Sequence, residues 1–357
     1  MALEALLSTR AQRWFMVTIL LQGFVVLAMV AAVFAFVEDN VDLSLSQYKT
    51  VPCYLALFIL AEIFEVLMAF DALRLRNVIQ LVGILIFHLA LVVFASIQVH
   101  ETRAAVVRPN TTNPRGRPLD TSSGSLWHAV EPFLIVSPVI IFVSWLALIF
   151  WIRELYYEFG WAIFHVVGAN PAMKTMYQFY QIIICLLKFD FFCFIGVSIQ
   201  LLIVVLQTNS AEFGLTIAAI PVVLFLLIGC GTAVQREIKW LMSISLALML
   251  AAETYFIYKL VRFYEPSSQE QYQTTRATLT VFTIVAFLLL FATFAVGLRC
   301  FADFDKGLQS AKLHDITTRR KQYSSAVVVD KIGDHDDEEQ GQQYNAGHQL
   351  QPRISIE

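Results

Sequence analysis

The chain has 357 residues, 58% of them hydrophobic and 15% charged, with a formal net charge of -3. A water-soluble domain carries about 25% charged residues, so lipid is the solvent for most of this chain. The small net charge and the lack of a basic stripe with interleaved aromatics exclude a nucleic-acid partner.

A helix that crosses a bilayer needs about 20 apolar residues at 1.5 Å rise each. Eight runs meet that length: 14–37, 52–73, 78–99, 129–152, 179–206, 214–234, 239–261 and 277–298. They predict an all-α fold class, a polytopic bundle of eight transmembrane helices. Residues 1–13 form a cytosolic N-terminus, 14–300 the membrane domain, and 301–357 a disordered cytosolic tail. The first run follows Arg10 and Arg13 and ends near small residues, as a signal peptide would. Its apolar stretch exceeds the usual core of about 7–15 residues, so it reads as an uncleaved span.

The second run carries Glu62 and Glu65, three residues apart and therefore on one helix face. Arg74 and Arg76 occupy the turn that follows, and His88 lies in the third run. The connector 100–128 holds Arg103, Arg108, Arg115 and Arg117, together with Asn110-Thr111-Thr112, a glycosylation sequon usable only on the lumenal side. The other connectors alternate in Lys/Arg content. Arg10, Arg13, Arg74, Arg76, Arg153, Lys174, Arg236, Lys239 and Arg299 fall on one side of an eight-span path. Short basic loops stay cytosolic, which puts both termini in the cytosol. The arginines of 100–128 run against that pattern, whereas Asn110 agrees with it.

The connector 153–181 is rich in aromatics, among them Tyr156, Tyr157, Trp161, Tyr177 and Tyr180. Gly168 is a helix stop, Asn170 an N-cap and Pro171 a first-turn residue. The pattern predicts that span four runs on to about Val167 and span five starts near Pro171, a helical hairpin reaching about 20 Å into the cytosol. Its aromatics suit a membrane-interface belt and equally a surface for a cytosolic protein partner. Span five holds Lys188 and Asp190, and span seven Glu253. Lys188 and Asp190 point about 200° apart on the helix, so each needs a partner elsewhere. Counting depth from the cytosolic ends matches Lys188 to Glu65, and an ion pair between spans five and two is expected. After the last span, juxtamembrane Cys300 is a palmitoylation candidate. The polar tail beyond it, with an acidic run from Asp334 to Glu339, cannot bury a core.

Charges inside a bilayer cost at least about 2.5–3.5 kcal/mol each and face protein or water. Glu62, Glu65, His88, Lys188, Asp190 and Glu253 therefore either hold helices together through buried bonds or line an ion or proton pathway. His88 has no second histidine at ligand spacing, so no metal site is expected. The sequence contains no His-Glu-x-x-His, no Gly-x-Ser-x-Gly, no phosphate-binding glycine loop and no histidine boxes. Neither a catalytic residue nor a cofactor is expected. No period or pair of matching broken helices marks the two halves as repeats.

Within 158–196, Glu158-Phe-Gly-Trp161, Gly168-Ala-Asn170, Tyr177 to Gln181 and Cys185-Leu-Leu-Lys-Phe-Asp-Phe-Phe192 resemble a family of uncharacterised fungal multi-pass membrane proteins of the Golgi apparatus. The resemblance covers roughly residues 10–305 and leaves the tail out. It implies a Golgi membrane location and carries no activity with it. The expected role is structural or in trafficking, through the 153–181 hairpin or the tail. The alternative is an ion- or proton-coupled transporter or channel using the intramembrane acids. The lipid bilayer is the one partner that composition requires, and no feature of the sequence sets an oligomeric state.

Overall fold

A computed structural model describes residues 7–41, 48–107, 125–167, 171–205, 211–265 and 276–306. Within these, side chains are described except at 160–167, 171–172, 204–205, 211–213, 215 and 216. Among the described residues the chain is eight helices and no strand: α1 Arg10–Asn40, α2 Thr50–Leu75, α3 Val78–Val106, α4 Leu126–Val167, α5 Pro171–Val205, α6 Ala211–Arg236, α7 Lys239–Phe263 and α8 Arg276–Ala302. All eight are long and apolar enough to cross a membrane, which bears out the predicted fold class. The polar connector 108–124, with Asn110, and the tail from 307 lie outside the described residues.

The helix ends follow local chemistry. Thr9 caps α1 by accepting the Gln12 N–H at 3.3 Å. Asn77 caps α3, its Oδ1 accepting the N–H groups of Ile79 at 3.0 Å and Gln80 at 3.3 Å. Two tight turns share one design. Arg76 after α2 and Glu237 after α6 take left-handed backbone, φ 49° and 55°. In each, the next residue reaches back to a carbonyl five positions earlier, Asn77 to Ala72 and Ile238 to Ala233, both at 3.0 Å. Helix α4 continues through Pro132 and Pro138, and α6 through Pro221. Proline at these positions therefore does not break either helix.

Neighbour relations divide the bundle into two rings of four. In the first, α1 packs on α2, α2 on α3, α3 on α4, and α4 back on α1. In the second, α5 packs on α6, α6 on α7, α7 on α8, and α8 back on α5. Helix α5 also packs on α2 and α3 and joins the rings. The seam is aromatic. Phe64 of α2 and Phe87 of α3 each lie 4.9 Å from Phe192 of α5, centroid to centroid, and Phe94 of α3 meets Phe282 of α8 at 5.4 Å. These pairs are offset or edge-on, the arrangements that the ring quadrupole favours.

In lipid the hydrophobic effect does not drive helices together, so close approach and polar bonds do. Glycines supply the approach at several crossings. A Cβ added at Gly83 would stand 2.9 Å from Phe189, and one at Gly297 3.1 Å from Leu246. The outer surface is the reverse of a soluble protein's. Phe24 is 75% exposed and Phe225 73%, with Leu21, Ile86, Val143, Trp240 and Val261 alongside them. A surface this apolar fits only lipid.

Candidate functional site

Four groups of buried polar residues hold the intramembrane candidates or join helices. The first ties the first ring together. Gln22 of α1 donates through Nε2 to Glu62 Oε1 of α2 at 2.8 Å. One turn along α2, Glu65 Oε1 lies 2.6 Å from His88 Nδ1 of α3. The other ring nitrogen of His88 faces α4, with Ser144 Oγ at 2.7 Å and the Ile141 carbonyl at 3.1 Å. All four helices of the ring thus meet through Gln22, Glu62, Glu65, His88 and Ser144. Gly23 makes the arrangement possible, because a Cβ there would stand 2.7 Å from Glu62 Oε2.

The second group joins the rings at one end. Lys188 of α5 pairs with Asp71 of α2 and donates to Gln80 Oε1 of α3 at 3.0 Å. Gln80 in turn donates to Asp71 Oδ2 at 3.1 Å and to the Met68 carbonyl at 2.9 Å. This corrects the expected Lys188–Glu65 pair, since Glu65 belongs to His88. Asp71 lies six residues beyond Glu65, about 9 Å along α2, and the long lysine stem leans toward the aqueous end to reach it, as lysines in membranes do. At the opposite end, Glu101 Oε2 of α3 accepts from Tyr54 of α2 at 2.8 Å and from Thr278 of α8 at 2.6 Å.

The fourth group lies inside the second ring. Asp190 Oδ2 of α5 accepts the Thr293 hydroxyl of α8 at 2.5 Å, and its Oδ1 has no hydrogen-bond partner among the described residues. Glu253 of α7 is buried with neither carboxyl oxygen bonded to a described residue, and it bears electrostatically on Asp190. A cavity of about 180 Å³ borders this group. Asp190 lines it with apolar residues of α5, α6, α7 and α8, among them Ala219, Val222, Leu248, Ala252 and Leu290. Glu62 and His88 are not among its walls, so the six intramembrane candidates do not share one cavity.

The remaining candidates are dispersed. Tyr156 and Tyr157 are exposed on α4, their rings 5.9 Å apart. Tyr177 and Tyr180 of α5 sit 5.9 Å from one another, and the Trp161 side chain lies outside the described residues. Near the start of α4's exposed end, Glu158 accepts from Gln12 at 2.5 Å and from Thr9 at 3.1 Å, anchoring α4 to α1. Cys300 is buried against the core. Sequence reasoning passed over Gln22, Asp71, Gln80, Ser144, Thr278 and Thr293. The signal was present, since each is a polar residue in or beside an apolar run.

This geometry defines a multi-pass α-helical membrane protein, with polar residues in its interior and apolar ones against the lipid. The chain is 29% identical over 274 residues, 73% of its own length and 78% of the relative's, to a UPF0658 Golgi apparatus membrane protein of the fission yeast Schizosaccharomyces pombe. That similarity bears out the resemblance to fungal Golgi membrane proteins. No family model matches the chain, and no solved structure does.

Proposed function

We propose that this chain is a resident of the Golgi membrane with both termini in the cytosol, serving as a structural or trafficking component. The location rests on the similarity to the fission-yeast Golgi protein. The orientation rests on the Lys/Arg bias of the connectors. The observation that carries the structural role is the Gln22–Glu62 and Glu65–His88–Ser144 set, which ends each charged side chain on a neighbouring helix. A pathway for ions needs polar groups along a shared opening, whereas the cavity beside Asp190 is walled by apolar side chains. The working surface in this reading is the cytosolic end of the α4–α5 hairpin, where Tyr156 and Tyr157 are exposed and available to a cytosolic protein.

Exchange of Glu65→Gln in the cell separates this role from ion-coupled transport. The structural role predicts a lower steady-state amount of protein with lumenal pH unchanged in proportion to what is left. Normal abundance with a shifted lumenal pH would favour transport. Tags at Met1 and Glu357 that co-migrate with Golgi membranes and are both digested by protease added to sealed vesicles support the location and orientation. Protection of either tag sinks the orientation.

A further inference from the structure

The cavity in the second ring has a wall, a floor and an entrance. Val222 of α6 and Leu248 of α7 line it and are 59% and 42% exposed on the apolar outer surface. Its mouth therefore opens sideways, between α6 and α7, into the hydrocarbon of the bilayer. Alanines at 219, 251 and 252 keep the passage wide. At 1.5 Å per residue the lining residue Ala252 stands about 20 Å from the start of α7 at Lys239, so the cavity is well inside the membrane.

The floor carries a carboxyl group. Asp190 is 6% exposed, lines the cavity and keeps Oδ1 without a partner among the described residues. Glu253 is 7% exposed and both its oxygens lack a partner among the described residues, but it is not one of the cavity's walls. The charged group that bears on Asp190 is Glu253, a second carboxyl, and among the described residues no cationic side chain bears on either. Lys259, a buried cation six residues beyond Glu253, lies 5.8 Å from the Tyr255 ring. Asp190 Oδ1, an open acceptor atom reached through an apolar door with a second carboxyl group nearby, calls for a donor that arrives with its own hydrocarbon. An apolar cavity of about 150 Å³ holds a benzene-sized molecule, so about 180 Å³ holds a headgroup and the first several carbons of a chain.

We infer that the cleft between α6 and α7 binds a membrane-dissolved alkyl amine, its ammonium group on Asp190 Oδ1 and its chain passing out between Val222 and Leu248. The ammonium donates to the open oxygen while Thr293 holds the other, and the Glu253 carboxyl group stands close enough to bear on Asp190. An alcohol of equal length fills the same space with one donor and no charge, and a fatty acid brings no cation.

The test uses the full chain in phosphatidylcholine nanodiscs with three photoreactive probes of equal length, a diazirine-bearing dodecylamine, dodecanol and dodecanoate. The amine is expected to label α6 and α7 peptides saturably, at a concentration about tenfold below the alcohol, and the acid least. Asp190→Asn is expected to remove that preference. Ala252→Phe, which leaves both carboxyl groups in place and fills the cleft, is expected to abolish saturable labelling. Equal labelling by amine and alcohol, preference for the acid, or labelling unchanged by Ala252→Phe would each overturn the inference. If Asp190→Asn fails to yield monodisperse protein, the Ala252→Phe result decides alone.

Discussion

The two rings repeat one order of neighbours and spend their buried polar groups differently. In the first, glutamates and a histidine are tied across helices, and Gly23 brings α1 close enough for Gln22 to reach Glu62. Glu62 and Glu65 each bond through one oxygen and leave the other without a partner among the described residues, as Asp190 does in the second ring. What sets the second ring apart is Glu253, with neither oxygen bonded, and a cavity beside Asp190. Polar groups in lipid strengthen a bundle only where partners meet them, and otherwise weaken it. The first ring thus links four helices through its polar groups, and the second sets an open acceptor beside a space that a ligand can fill.

The largest effect that sharpens this contrast is expected at His88. Replacement by alanine leaves Glu65 buried without its partner and detaches Ser144 of α4. The loss should be about 3 kcal/mol, read from unfolding in mixed micelles by circular dichroism. A loss below about 1 kcal/mol, the usual worth of one interhelical bond in a membrane, would show that the first ring does not depend on this junction. Gly23→Val follows, at about 2 kcal/mol, because its Cβ would collide with Glu62 Oε2. The matched change in the second ring has the opposite sign. Glu253→Met keeps the volume and removes two unbonded oxygens, so stability should rise by about 1–2 kcal/mol. A drop comparable to that of His88→Ala would mean the two rings are built alike.

The eight spans were legible because exclusion of charge over a bilayer's thickness leaves a long, unmistakable apolar run. Arg10, Arg76 and Lys239 mark where such runs meet water. The division into rings was not legible, since the four-plus-four order lies in which helices touch, and no period in the sequence records it. The Lys188 partner was missed for a physical reason. Depth counting treats a side chain as level with its backbone, but lysine climbs toward water and so meets Asp71 rather than Glu65. Asp71 itself sits where span two ends, close enough to the turn to pass for an ordinary interface charge. A search confined to charges also hides Gln22, Gln80 and Thr293, which complete three of the four groups. A double-mutant cycle of Lys188→Ala with Asp71→Ala should show a coupling of about 1 kcal/mol, modest because both groups are partly exposed. The same cycle with Glu65→Ala should show none. Coupling to Glu65 instead would restore the pairing that depth alone suggested.

The smallest expected effect concerns what the rings share. The turns at Arg76 and Glu237 both hold a side-chain-bearing residue in left-handed backbone, at φ 49° and 55°. Glycine adopts that region without the steric penalty of a Cβ. Arg76→Gly should raise stability by about 0.5 kcal/mol, the strain relieved being partly offset by the greater freedom of glycine in the unfolded chain, and Glu237→Gly by less, because the Glu237 carboxylate accepts the Asp305 N–H at 3.2 Å. Equal gains would show that the Glu237 bond adds nothing and that the two turns are interchangeable in energy. A gain at Glu237 with a loss at Arg76 would instead assign the arginine a task beyond the turn, such as holding lipid headgroups at the end of α2.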